Sequence, residues 1–412
     1  MSGRDQPTVP LPISSSRPES GGFYTAIEFS LYRQPRNLAP QIIARRGLVD
    51  DDGSIQADLG GTWMVFGAGS TPVFVPGAQG APGTFLGSGT PALLASDLNS
   101  ARTYQAGFTY TLGWKFSDGT AFEFSWLHLQ PAVYSAGASI LPPGHTVGPA
   151  LVDTFLFSPV YNFPNNYAGE AQKLSLGNPG AAFGIWNGAG SEWEYFRQHY
   201  DQGDWTVRTQ VRNDPISRTY VTAGGRFAWI WEGYQWRTVS QTFDGQSGPQ
   251  DVAVYSNDVS NRMYGMALGV EQEIYLGSTP KLGAWAISFH GDFAPLLDVV
   301  KERVEYALAD RSTANKKAVT TYTFAPELNG NIKLAWYPIN GVEVKFSWNS
   351  MAFFNTVHTY NPVSFDFGNL GKVNDFGPLP GGAPPSGNTD SIWIRKAIYY
   401  FDGINFGVSV HF

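Results

Sequence analysis

From Tyr322 the even positions read Tyr322, Phe324, Pro326, Leu328, Gly330, Ile332, Leu334 and Trp336. The odd positions between them read Thr323, Ala325, Glu327, Asn329, Asn331, Lys333 and Ala335. A period of two marks a β-strand with one apolar and one polar face. This run is roughly twice the ordinary strand of about 5–6 residues. The C-terminus repeats it, with Ile404, Phe406, Val408, Val410 and Phe412 opposing Asn405, Gly407, Ser409 and His411. Val342, Val344, Phe346 and Trp348 alternate with Glu343, Lys345 and Ser347. Tyr264, Met266, Leu268 and Val270 alternate with Gly265, Ala267, Gly269 and Glu271. Near the start, Thr25, Ile27, Phe29 and Leu31 alternate with Tyr24, Ala26, Glu28 and Ser30.

These periods predict ten strands, at 22–33, 104–116, 120–130, 190–200, 217–231, 260–276, 283–297, 318–337, 341–356 and 396–412. The segment 301–308 reads either as an extra strand, which needs a partner and gives twelve, or as a short helix in a loop. Tight connections such as Ser117-Asp118-Gly119 and Pro338-Ile339-Asn340-Gly341 carry turn chemistry. They alternate with long ones at 35–103, 130–190 and 358–394, and a shorter one near 244–258. A backbone in hydrocarbon must satisfy every N–H and C=O, so a sheet crosses a bilayer only as a closed barrel. The expected fold class is all-β: a closed antiparallel transmembrane β-barrel of about ten strands, twelve being the alternative. Its short turns are expected to be periplasmic and its long loops extracellular. Residues 1–20 read as a flexible periplasmic segment and residues 21–412 as one barrel. The soluble reading, a sandwich or propeller, fits less well, because the polar faces are thin in Lys and Glu and rich in Gly, Ala, Ser and Thr.

Composition sharpens this picture. Charged residues make up 15 % of the 412, against roughly 25 % in soluble domains, while aromatic residues also reach 15 % and glycine 47. Rings are plentiful where charge is scarce, as an apolar exterior requires. The net charge of -7 argues against a nucleic-acid partner. The absence of cysteine excludes disulfides and thiolate metal sites. Ser2 to Ser20 is polar and lacks the apolar stretch of a signal peptide, so the chain reads as a mature or expression form.

Several stretches resemble the planctomycete outer-membrane proteins grouped as the seventh β-barrel porin family. They are GFYTAIEF from Gly22, GFTYTLGWKFSDGTAFEFSWLHLQ at 107–130, SEWEYFRQHY at 191–200 and TAGGRFAWIWEGYQWR at 222–237. YSNDVSNRMYGMALGVEQEIYL at 255–276 and the glycine-rich GSGTPALLASDL at 87–98 extend the likeness. The resemblance implies an outer-membrane barrel and carries no catalytic residue with it.

The polar positions of the alternating segments propose a lumen network of Glu28, Glu123, Arg226, Glu271, Glu273, His290, Asp292, Glu327, Lys333, Glu343, Lys345 and His411. In a ten-stranded barrel the interior is little wider than a packed core, so these charges are expected to pair and stiffen it. The six histidines sit in no recognisable motif with a serine, and G-x-S-x-G, H-E-x-x-H and Walker patterns are absent. No enzyme and no cofactor are expected. Asp50, Asp52 and Asp58 could place oxygens around Ca²⁺ on an external loop, although acidic residues beside glycine are more often plain turns. The long loops carry Phe74, Leu93, Phe155 and Phe157 among Gly and Pro, and loops this long usually have a task, such as constriction, cap or contact. The functional expectation is a structural outer-membrane barrel with a packed lumen, its partners being lipid and neighbouring copies or envelope proteins. The alternatives are a porin-like channel for small solutes, or a receptor or adhesin acting through the loops. The C-terminus is expected on the periplasmic side.

Overall fold

Long alternating runs rich in aromatic and β-branched residues form strands because both faces of the pleat then have somewhere to go. The computed structural model describes residues 22–50, 61–64, 73–77, 84–85, 90–99, 104–117, 119–139, 154–157, 189–214, 216–239, 248, 251–279, 281–308, 314–339, 341–363 and 396–412. Ten strands dominate: β1 (Gly22–Arg33), β2 (Gln105–Lys115), β3 (Ala121–Ser139), β4 (Ser191–Asn213) and β5 (Ser217–Val239), then β6 (Val252–Thr279), β7 (Gly283–Leu308), β8 (Ala314–Ile339), β9 (Val342–Val357) and β10 (Lys396–His411). Each pairs antiparallel with its neighbours in the chain, and β1 also pairs with β10, Tyr24 lying opposite His411 and Leu31 opposite Ile404. The result is a ten-strand antiparallel hydrogen-bond ring.

The expected closed transmembrane barrel of about ten strands, twelve being the alternative, is corrected to this ten-strand hydrogen-bond ring, which is of uneven height. Strand lengths run from 11 residues in β2 to 28 in β6, so the wall is low on the β1–β2 side and tall from β5 to β8. The twelve-strand alternative fails because residues 301–308 are the end of β7, Lys301 facing Ser260 and Leu308 facing Ala253 of β6. The long loops are not bare either. Ile42–Asp50 pairs with Pro91–Leu94, Thr84–Phe85 and Thr154–Phe157, and Gly61–Met64 pairs with Val73–Pro76. The N-terminal segment 1–20 lies outside the described residues, as do Asp52 and Asp58; Asp50 ends its loop strand with its side chain outside them too, so the calcium expectation falls there as well.

The outer face is apolar over a band. On β8 the outward Tyr322, Phe324, Leu328, Ile332 and Leu334 are all exposed. Aromatic pairs mark the short-turn end, Phe23 stacking on Phe412 at 6.0 Å and Trp285 on Trp336 at 5.6 Å. Toward the long-loop end the alternation inverts its phase. On β6, exposed Tyr264, Met266, Leu268 and Val270 point outward; beyond them Ser256, Asp258 and Arg262 take the outer row and buried Tyr255, Val259 and Met263 turn inward. On β7 the exposed Phe289, Phe293 and Leu297 give way to outward Lys301 and Arg303 over buried Val300 and Val304. The upper wall therefore has an apolar inside and a polar outside, as a water-soluble sheet does.

Loop residues reach into that upper interior. Leu38, Ile43, Leu93 and Leu98, from the connection between β1 and β2, bury against Phe196, Tyr234, Trp236 and Tyr255 of the wall. Gln41 Nε2 donates to the Val363 carbonyl at 2.6 Å, and Tyr255 Oη donates to the Pro362 carbonyl at 2.9 Å. Residues 34–46, 90–99 and 358–363 thus form a cap inside the long-loop end. Below it lies a second layer including Leu129, Tyr200, Ile230, Met263, Phe353 and Phe401.

Nearer the short-turn end, Tyr24 lies against Gly113, where a Cβ would overlap the tyrosine ring, and its hydroxyl donates to Glu123 Oε1 at 2.6 Å. Gly113→Val is expected to displace Tyr24, release Glu123 and cost about 1–3 kcal/mol, the usual range for overpacking. Thermal unfolding in detergent micelles, compared with Tyr24→Phe, measures this; an unchanged midpoint would show that the fit does not matter.

Candidate functional site

The period of two delivers twelve titratable positions to the inner face, and the ring brings them into two groups. The first sits at mid-height around Arg226 of β5. Its Nε donates to Asp204 Oδ1 at 2.7 Å, its Nη1 to Asp292 Oδ1 at 2.6 Å and its Nη2 to Asp292 Oδ2 at 3.2 Å. Nη1 also lies 3.0 Å from Glu327 Oε1. Asp292 is held further by Asn329 Nδ2 at 3.0 Å, and His290 Nδ1 stands 3.8 Å away. One guanidinium therefore serves three carboxylates, its planar fork supplying the donors that such sharing needs.

The second group lies toward the short turns. Arg208 Nε donates to Glu271 Oε2 at 2.9 Å. Lys333 Nζ stands between Glu271 at 3.6 Å and Glu343 at 3.9 Å. Lys345 Nζ pairs with Glu28 Oε1 at 2.5 Å, and His411 Nε2 is 3.9 Å from Glu343 Oε2. Arg208 also stacks on Tyr220, its guanidinium carbon 3.6 Å from the ring centre. Glu273 is buried beside this group, and neither of its carboxylate oxygens has a hydrogen-bond partner. Glu123 is tied to Tyr24 instead.

Between the groups is a cavity of about 280 Å³, lined by Glu28, Glu123, Asp204, Arg208, Glu271, Lys333, Glu343 and Lys345 with Asn331, Asn349 and Asn405. It is a polar chamber below the apolar layer. Its residues could hold waters or a small polar solute. The pairing of both signs gives it no single selectivity.

Sequence reasoning placed the twelve named residues on the inner row but missed Asp204 and Arg208, which complete both groups. They lie in the second half of β4, where Asp201 and Gly203 interrupt the outward apolar row. The available signal was the inward series Gln202, Asp204, Thr206 and Arg208, readable only once β4 is extended to a three-residue turn before Ser217.

Among solved structures, the chain is similar to the outer membrane protease OmpT of Escherichia coli at 8 % identity, covering 95 % of this chain and 97 % of that one with a TM-score of 0.41. It is also similar to a mutant of the monoaromatic hydrocarbon channel TodX, at 7 % identity, 95 % and 90 % coverage and a TM-score of 0.22. A Pseudomonas aeruginosa FadL homologue gives 9 % identity, 98 % and 95 % coverage and a TM-score of 0.20. No protein-family model matches the chain, and no curated protein matches it. No comparison shows the planctomycete family read from the sequence; what stands is the all-β, ten-strand antiparallel ring.

Proposed function

We propose that this chain is an integral protein of a bacterial outer membrane that serves envelope architecture, with a packed interior and no catalytic chemistry. The outward band supports the location. On β8 it runs from Tyr322 to Trp336, roughly 46 Å along the strand at about 3.3 Å per residue. Tilted by about 45°, that rises roughly 33 Å, close to the hydrocarbon thickness of about 30 Å. The inversion of phase above the band supports an upper β5–β8 wall that stands in water. With the short turns periplasmic, β10 ends on that side and the cap faces outward.

The observation carrying the architectural reading is the layer of Leu129, Tyr200, Ile230, Phe353 and Phe401, all fully buried across the interior beneath the cap. A water path needs exposed atoms along its whole length, and apolar side chains packed to this degree support a lumen without one. Purified protein in a planar bilayer is expected to give no steady conductance while circular dichroism reports intact β-structure. Stepwise single-channel conductance from such protein would overturn this reading. It would favour the second one, a porin-like route for small solutes, whose support is the charge-lined chamber already present below the layer.

A further inference from the structure

The lumen network leaves out one cluster of ligating side chains, which lies on the opposite face of the wall. Asp201 of β4 stands directly across from His128 of β3, and His199 lies two residues before it on the same face. Residues i and i+2 share a face and directly paired residues are about 5 Å apart, so three side chains meet at one point. His128 Nδ1 is 2.8 Å from Asp201 Oδ1, and His199 Nε2 is 2.5 Å from Asp201 Oδ2. Among the described residues this is the one group of three whose ligand atoms all fall within 4.8 Å of one another.

The surroundings are those of a built site. The Trp126 indole N–H donates to Asp201 Oδ1 at 3.1 Å, the kind of outer hydrogen bond that orients a ligating carboxylate. Phe108 lies 5.3 Å from the His128 ring and Trp229 lies 5.0 Å from the His199 ring. The three side chains are only 14–20 % exposed. The β3–β4 ladder slips between Gln198 and Tyr200, with Pro131 of β3 in the irregular stretch. Such bulges re-aim side chains beside functional sites. A carboxylate on an apolar outer face needs compensation, which a bound cation would supply.

We propose that His128, His199 and Asp201 form a three-ligand site for a divalent transition-metal ion such as Zn²⁺, on the outer wall at the long-loop rim of the apolar band. Two nitrogens and one oxygen suit zinc at about 2.0–2.2 Å. Tetrahedral ligands at those lengths stand roughly 3.3 Å apart, so the two His–Asp separations need to open by less than about 1 Å, and the three ligand atoms already lie within 4.8 Å of one another. Three protein ligands leave one of four tetrahedral positions for another ligand.

The test uses tag-free, chelator-treated protein in detergent micelles, titrated with Co²⁺ and then Zn²⁺. One equivalent of Co²⁺ is expected, with the strong visible absorption of a low-coordinate site, displaced by one equivalent of Zn²⁺. His128→Ala and His199→Ala should each weaken binding at least about 100-fold, and Trp126→Phe about tenfold, in line with the effect of losing an outer-shell partner. Binding no tighter than millimolar, or binding that survives in the folded double variant His128→Ala/His199→Ala, overturns the proposal. Should the alanine variants fail to fold, X-ray absorption on the zinc-loaded wild-type protein decides: imidazole scattering from two histidines supports the site, and its absence removes it.

Discussion

Arg226→Ala is expected to be the most damaging single substitution in the ring, costing about 3–5 kcal/mol, because it strands carboxylates that, among the described residues, no other arginine or lysine pairs with. Asp204 loses one charge-assisted hydrogen bond, Asp292 loses two and Glu327 loses its ion pair. All three side chains face inward, where Asp292 and Glu327 are almost wholly buried. Arg226→Lys is expected to recover only part of the loss, since an ammonium cannot bridge Asp204 and both oxygens of Asp292 from one plane. The diagnostic result is coupling. Glu327→Gln should be nearly neutral in the wild type, as it lowers the surplus of negative charge, yet it should restore a measurable part of the stability lost in Arg226→Ala. Urea or thermal unfolding in micelles, read as a double-mutant cycle, supplies the coupling energy. Strict additivity would mean that these groups do not share one electrostatic centre.

The network and the proposed metal site draw on the same strands in opposite ways. On β4, Gln202, Asp204 and Arg208 turn inward to the ion pairs, while His199 and Asp201 turn outward to His128. Single substitutions therefore separate the two. Asp201→Asn should abolish metal binding with little effect on the Arg226 centre, whereas Arg226→Ala should do the reverse.

How far the sequence could be read follows from where the solvent changes. Between Tyr322 and Trp336 one apolar row faces outward throughout, and the predicted 318–337 agrees closely with β8 at Ala314–Ile339. Strands ended too early wherever the phase inverts. β6 was expected from residue 260 and begins at Val252, because above the band its apolar residues face inward and a fixed-phase reading stops there. β7 was cut at 297 for the same reason and runs to Leu308. The inner charges were legible from parity alone; their partners were not, since partnership depends on register across strands. The His128 cluster was invisible for that reason too, its two strands bringing together residues 73 positions apart.

Raising the pH from 5 to 8.5 is expected to loosen the cap, through two carboxylates of β4 that sit in apolar surroundings. Glu194 accepts from the Tyr234 hydroxyl at 2.8 Å, and Glu192 accepts from the Trp236 indole at 2.8 Å. Both lie above the apolar band, where the outer row carries Arg197 and Arg237. Burial pushes Glu194 up to about 8 against the hydrogen bond from Tyr234, which pulls the other way, and burial raises Glu192 as well. The folded protein therefore holds protons that the unfolded chain releases near 4.5. Below that pH both states are protonated and no penalty arises. Between 4.5 and about 8 the unfolded state binds fewer protons, so stability falls as pH rises, by about 1.4 kcal/mol per unit at most for each group. The accumulated loss is on the order of a few kcal/mol at pH 8.5, concentrated where Leu38, Ile43 and Leu98 pack on the wall. Glu302 of β7, raised to about 7 by burial, adds a contribution of the same sign. Limited proteolysis of the cap and thermal unfolding across this range measure the slope. Glu192→Gln/Glu194→Gln should flatten most of it while keeping the acceptors for Trp236 and Tyr234. A wild-type profile flat from pH 5 to 8.5, or a double variant with an unchanged slope, would mean that these carboxylates are already ionised and solvated, and that the cap opens to water around them.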